Sequence, residues 1–409
     1  MKKEIIQVNN KETSVKMQTS EIISLRAKDI DKSAVRVYKD GKVGISGAVG
    51  TSSIEDLTAQ AIENLSSNIK YPYELEKNRK DHRNYIEKQY SEKELMDLGK
   101  TLSDSFKNDF DDFIFNDSIK KIETDFRFTN SEGLDLRYQD SYLDFNFLVK
   151  SKDSANLFDT FSRWRGRNFD TTRYLSTTKM QLDAERNIVE LPKENKVPVF
   201  FVESDIITDF LNSHLSGDNY GNETSLFTKK IGTKIFNDKV SIVQNNNSKY
   251  SYSCFFDTEG ITNKNDVVTL IENGVFKRVF TDKKIAEKFN IEHTGSASGG
   301  YDDVPSLRFT NIEPVVDSSN IKKSLNGKMA ILVVVAAGGS FNSDGKFSTP
   351  VQTSYLYDGE NLIGKLPEFN ISNDIYNMLG DDYIGTFKSE TLYFSEHGYL
   401  LGSYMNIIK

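Results

Sequence analysis

The stretch DIITDFLNSHLSGD, beginning at Asp205, places a histidine on a helix-like segment, and places only one there. Histidine is a common metal ligand and acid–base group. A catalytic zinc site needs three protein ligands and an open position for water. Two ligands on one helix must sit three or four residues apart to converge on one ion. His214 has Phe210 four residues before it and Asp218 four after. Asp218 lies beyond Ser216-Gly217, where a helix capped by Asp205 is expected to stop. His82, His293 and His397 are scattered singly. His214 therefore reads either as a lone ligand or, more simply, as a packing or interface residue on the face it shares with Ile207, Phe210 and Leu211.

Two other segments have chemistry-bearing patterns. In FDTEG, Asp257 and Glu259 lie two residues apart and share a face if the chain is extended. Such a pair serves as acid and base only in a perturbing environment. Gly260 favours the alternative, a structural turn. HTGSASGGYDD, from His293, is glycine-rich, but a phosphate loop needs a strand before it and a helix after it. Here the helix-like DKKIAEKF comes first, so the order is wrong. No Gly-x-Ser-x-Gly elbow is present. Cys254, the one cysteine, excludes an intrachain disulfide and a cysteine-based zinc site. It sits in YSYSCFFD, which reads as a β-like run with Cys254 as a small buried apolar group.

The elements that must position these residues fall into two halves. Up to about residue 50 the chain reads as strands, with Asp40-Gly41 suited to a type I′ hairpin. A helix is expected in SSIEDLTAQAIENLSS, capped by Ser52 and Glu55, with Leu57, Ala61 and Leu65 on one face. A second is expected in SEKELMDLGKTLSDSF, capped by Ser91 and Glu94, with a stripe of Leu95, Leu98, Leu102 and Phe106. Strands return around a turn at Asn130-Ser131-Glu132-Gly133, and a further helix is expected near residues 154–168, around Trp164. The charged ELPKENKVP precedes the apolar VFFVES and divides the chain into residues 1–195 and 196–409. The second part has hairpin signals at Asn273-Gly274, Asp344-Gly345 and Asp358-Gly359, and few helices, at 205–215, 283–289 and 373–379. The expected fold class is α/β (α+β): an N-terminal mixed α/β domain and a C-terminal, mostly antiparallel, barrel-like β domain.

A chain of 409 residues can bury two substantial cores, and its 27 Phe and 19 Tyr favour β-rich packing. A formal charge of −8 with no basic stripe argues against a nucleic-acid partner. The run MAILVVVAAGG from Met329 is shorter than the roughly 20 residues a membrane helix takes, and reads as a buried strand. With no apolar run behind Lys2 and Lys3, neither a signal peptide nor a membrane span is expected, and the expected location is cytoplasmic.

The order of several motifs resembles the TldD/PmbA family, once called modulators of DNA gyrase and linked to zinc-dependent peptide hydrolysis. They are RVYKDGKVGISG, TNSEGLDLRY, SGDNYGNETSLFTKKIG, FFDTEG, LIENGVF, the Thr-Gly loop, and SDGKFSTPVQTSYLYDGENLIGKLPEFNISNDIYNML. In the zinc-bearing branch a His-Glu-x-x-x-His helix lies where this chain has NSHLSGDNYG, and a cysteine ligand lies near the C-terminus, where LYFSEHGYLLGSY has none. The chain is thus similar to the PmbA (TldE-like) branch. The resemblance implies Asn130, Gly133, Asp257, Glu259 and Gly260 as structural motif residues. It implies His214, Thr294, Gly295, Gly299 and Gly300 as candidates for a peptide groove, although a surface loop accounts for the last four equally well. It implies no catalytic residue and no metal ligand in this chain. The expected function is that of a non-catalytic subunit of a metallopeptidase complex acting on unfolded peptides, with zinc supplied by a TldD-like partner. An extended peptide would be bound as an added strand. Two alternatives stand beside it: a self-sufficient metallopeptidase with an unusual site from His214, His397 and carboxylates, and a homodimeric peptide-binding module.

Overall fold

The computed structural model describes residues 1–203, 205–318 and 320–408. The N-terminal sheet is built from β1 (Lys2–Gln18), β2 (Glu21–Lys39), β3 (Lys42–Val49), β4 (Ile69–Lys70), β5 (Arg79–Asn84), β6 (Phe113–Asn130), β7 (Leu134–Ser151) and β8 (Thr160–Gly166). Its order is β4-β3-β2-β1-β6-β7-β5, with β8 on the remaining stretch of the β7 edge. Asp40 (φ +52°) and Gly41 (φ +71°) close the β2–β3 turn between paired Lys39 and Lys42, as a type I′ turn requires.

Helices α1 (Ile54–Glu63), α2 (Glu92–Asn108) and α3 (Thr171–Arg186) pack on this sheet. α1 sets Leu57 and Ala61 against Val35 and Val37. α2 buries Leu95, Leu102 and Phe106 against an aromatic cluster that includes Phe115, Phe147 and Trp164. The Ser91–Glu94 capping box is present. The α1 cap is Ser53, not Ser52: its hydroxyl accepts the Asp56 N–H at 3.1 Å.

The helix expected near 154–168 is instead strand β8, with α3 following it. Thr160, Ser162 and Trp164 point inward while Phe161, Arg163 and Arg165 take the other face, a strand period of two. Two of the three inward residues are polar, which hides the alternation in the sequence. Ser162 is satisfied by the Tyr174 and Thr178 hydroxyls at 2.6 and 3.1 Å.

The C-terminal part contains a closed ring of five strands. Lys196–Val202 pairs in parallel with Ala330–Ala336 and antiparallel with Tyr399–Ile408. Lys346–Tyr357 pairs with Ala330–Ala336 on one side and Phe369–Asp374 on the other, and Phe369–Asp374 pairs with Tyr399–Ile408. Both faces are buried along Val197–Val202 and Ala330–Val333, whereas Lys346–Val351 and Phe369–Ile371 alternate between buried and more exposed residues. Val199, Phe201, Ile331, Val333 and Leu401 pack with helix α4 (Asp205–His214), while Phe200, Leu332, Tyr355, Tyr357 and Leu400 form a second core. A smaller sheet, centred on Ile242–Asn245 and Val267–Glu272, covers α4. Asn273 and Gly274 (φ +49° and +76°) make its hairpin turn. The fold is therefore mixed α/β with a C-terminal barrel, as expected. No helix among the described residues is long and apolar enough to cross a membrane.

Candidate functional site

The FDTEG segment is a buried turn, not an extended strand. Asp257 Oδ1 accepts the N–H groups of Glu259 and Ile261, both at 2.9 Å, and Oδ2 accepts that of Ala297 at 3.0 Å. Glu259 accepts the Tyr71 hydroxyl at 2.5 Å and the Lys283 N–H at 3.1 Å, with His293 Nε2 at 3.4 Å. Arg36 donates to the Thr258 carbonyl at 2.7 Å. The motif thus bolts the barrel half onto the N-terminal sheet. Asn130 does local work: its Oδ1 accepts the N–H groups of Glu132 and Leu134, and Gly133 takes φ +90°.

Burial, and then the neighbouring charge of Glu259, push the Asp257 carboxyl up to about 7. The unfolded carboxyl releases its proton near pH 4. Between those values the folded chain holds more protons than the unfolded one, so this group's contribution is fully present below about pH 4 and is lost as pH rises toward 7. The stability gap between the native chain and Asp257→Asn is expected to narrow from about pH 5 to about pH 7.5 in urea denaturation. A gap that widens would mean that the three N–H donors keep the carboxylate ionised.

The groove candidates are not gathered in one place. His214 is half-buried against the barrel-side core: its Nδ1 accepts the Leu226 N–H at 3.1 Å, and its ring packs on Phe210 at 4.3 Å and Phe227 at 6.0 Å. α4 ends at His214 and a second short helix begins at Gly217, so that glycine starts a helix where a stop is expected. Asp205 is the first helical residue. Thr294 is buried, bonded through its hydroxyl to Thr281 and Ser296. Gly295 offers its carbonyl to Gln244 at 3.1 Å. Gly299 and Gly300 form a loop closed by Asp303, beside Gly47 of β3. Cys254 is not in a strand: Ser248–Ser251 is a helical turn and Tyr252 takes φ +51°. Burial raises the Cys254 thiol well above its ordinary value.

A cavity of about 450 Å³ opens elsewhere, between β7–β8 and the barrel half. Its N-terminal wall carries Asp144, Arg163 and Arg165, and its opposite wall Glu203, Asp205, Glu313 and Tyr399. Tyr250, Tyr252, Phe394 and His397 form the rim. Glu203, with φ +44°, follows the strand that leads into α4. Burial raises the Glu203 carboxyl against the pull of Arg163 and Arg165. Burial also raises Glu313, which accepts a hydrogen bond from the Asn245 amide. The Tyr399 hydroxyl is raised by burial and by the charges of Glu203, Glu313 and Asp205. His397 meets Tyr250 nearly edge-on at 5.1 Å. Perturbed groups converging in a cleft mark a candidate site.

This cleft is missing from the sequence reading because its residues come from six separate segments. The one local signal is a carboxylate directly after the apolar VFFV run. Among the described residues, no group of three or more His, Cys, Asp or Glu is placed to hold a metal ion. The histidines of the self-sufficient alternative stand apart, His214 packed against Phe210 and Phe227 and His397 at the cleft rim.

Residues 195–393 match the family model of the PmbA/TldA metallopeptidase C-terminal domain. An uncharacterized protein of Methanocaldococcus jannaschii is 25% identical over 372 residues, covering 88% of this chain and 86% of that protein. A metalloprotease TldD homolog of Buchnera aphidicola subsp. Acyrthosiphon pisum is 26% identical over 187 residues, 43% of this chain and 38% of its own. The crystal structure of TldE from Thermococcus kodakarensis superposes with a TM-score of 0.81 at 18% identity, covering 100% of this chain and 97% of that one. A candidate modulator of a DNA gyrase from Thermotoga maritima follows at 0.77 and 19%, covering 99% and 96%. At those identities the superpositions speak for the fold alone.

Proposed function

Since this chain belongs to the TldD/PmbA family, a family related to metallopeptidases, we propose that it is the zinc-free subunit of a peptidase complex whose TldD-like partner performs the hydrolysis. The observation that carries this reading is the state of His214. The half-buried imidazole on α4 lies against the core, its Nδ1 taken by the Leu226 N–H and its ring tilted at 49° to that of Phe210, 4.3 Å away. The helix that bears the ligand pair in the zinc-bearing branch serves packing here. The residues present therefore do not fit zinc, and no step is assigned to a metal in this chain. Zinc in the partner would supply an activated water. This chain would contribute a wall of the peptide groove, with the acidic interdomain cleft as its recognition surface, and the interface to the partner.

The test is reconstitution. An unstructured peptide is incubated with this chain, with a TldD-like subunit, and with both, each with and without a chelator. Cleavage is expected only in mixtures that contain the TldD-like subunit, to be enhanced by this chain and abolished by the chelator. Chelator-sensitive cleavage by this chain alone would overturn the reading.

A further inference from the structure

Resting on that reading, we infer that the interdomain cleft binds a cationic group of the peptide: a lysine or arginine side chain, or the α-ammonium. The cavity, about 450 Å³, is ample for one such group and too small for a folded segment.

The charges around it are unequal. Asp144, Glu203, Asp205 and Glu313 face two guanidinium groups, Arg163 and Arg165. Arg165 is committed to Asp144, with Nε at 3.1 Å and Nη2 at 2.5 Å from the same carboxylate oxygen. Arg163 lies 3.6 Å from Glu203 and stacks 4.9 Å from the Phe394 ring centre. That leaves Asp205 and Glu313 without a basic partner among the described residues, and Glu313 receives one amide hydrogen bond, from Asn245. Burial disfavours the charge on Glu203 and Glu313, and an incoming cation would relieve that penalty while an anion would deepen it.

The rim adds a second preference with the same sign. Tyr250 is 44% exposed beside the opening, next to Tyr252 and Phe394. Aromatic faces attract ammonium and guanidinium groups. A charge-assisted hydrogen bond to a partly desolvated carboxylate, together with such a ring, corresponds to a preference of about tenfold or more over a neutral side chain of the same length.

The test measures fluorescence polarisation of C-terminally labelled, unstructured Gly/Ser peptides on the full chain. Peptides carry a central lysine, arginine or norleucine, each with a free or an acetylated N-terminus. The expected result is at least about tenfold tighter binding of a cationic peptide than of acetylated norleucine. The acetylated arms decide between a side chain and the α-ammonium. Glu313→Gln and Glu203→Gln, each shown by thermal melting to be folded, are expected to bring the cationic peptides down toward norleucine. Equal binding of all six peptides, no binding of any, or a preference that survives both substitutions overturns the inference. If cation preference is absent while reconstituted cleavage succeeds, the cleft assignment falls and the subunit reading stands. Preference without cleavage does the reverse.

Discussion

Arg167→Ala is expected to cost the fold about 3–5 kcal/mol, because it strands a buried carboxylate. The Arg167 side chain is 2% exposed and that of Asp140 is fully buried. Nε and Nη2 of Arg167 donate to the two Asp140 oxygens at 2.8 and 2.6 Å. The same guanidinium reaches across to the barrel half, donating to the carbonyls of Ser248 and Lys249 at 2.6 and 2.8 Å, and lies 4.7 Å from the Tyr252 ring centre. Alanine would leave Asp140 with only the Tyr138 hydroxyl and the Ser141 N–H, and would orphan two carbonyls. Arg167→Lys keeps the charge but not the planar fork, so only part of the loss is expected to return. Urea denaturation reads both. A loss under about 1 kcal/mol for the alanine variant would show that the joint does not depend on this pair. The segment held by Arg167 also supplies Tyr250 and Tyr252 to the cleft, so peptide binding should weaken in step with stability.

Gly260→Ala is expected to cost roughly 2–5 kcal/mol, from two separable causes. Gly260 takes φ +77°, where an L side chain pays about 1–2 kcal/mol. A Cβ there would also stand 2.6 Å from Leu134 Cδ2 and 3.1 Å from Phe128 Cε1, both in the core of the opposite half. Overpacking adds about 1–3 kcal/mol. Gly232→Ala is the control: φ is +84°, and nothing lies within 4 Å of the added carbon. The difference between the two variants in urea midpoint isolates the clash. Equal losses would mean that the two halves can separate slightly without consequence.

What the sequence made legible was local. The Asp40-Gly41 and Asn273-Gly274 turns, the Ser91–Glu94 cap and the apolar face of α4 are each specified within a few neighbouring residues. The ring of strands was legible only as a class, because its parallel pairing of Lys196–Val202 with Ala330–Ala336 joins distant segments of similar apolar character. Strand β8 was hidden by its polar inward residues: Ser162 is satisfied by hydroxyls on α3, and Thr160 by the Gln181 amide and the Tyr355 hydroxyl. For the site, glycine and threonine at 294–300 showed backbone freedom but not its purpose. Thr294 spends that freedom on a buried hydroxyl network, and Gly295 on contact with Ile261. The cleft was illegible because Glu203, Tyr250 and Glu313 acquire a common setting only when strands from different sheets meet.

The ring of five strands carries a consequence for how the molecule is assembled and lost. A hoop has no final stave: each strand closes against two neighbours, and Lys196–Val202 takes both of its own from far downstream. Long stretches of chain must be gathered before the first such neighbour rewards the search, so assembly is slow for the chain's size. Once shut, the hoop's loose borders lie on the short strands attached to it, Ser340–Phe341, Leu362–Lys365 and Tyr383–Lys388, and pulling out any stave bares two raw edges at once.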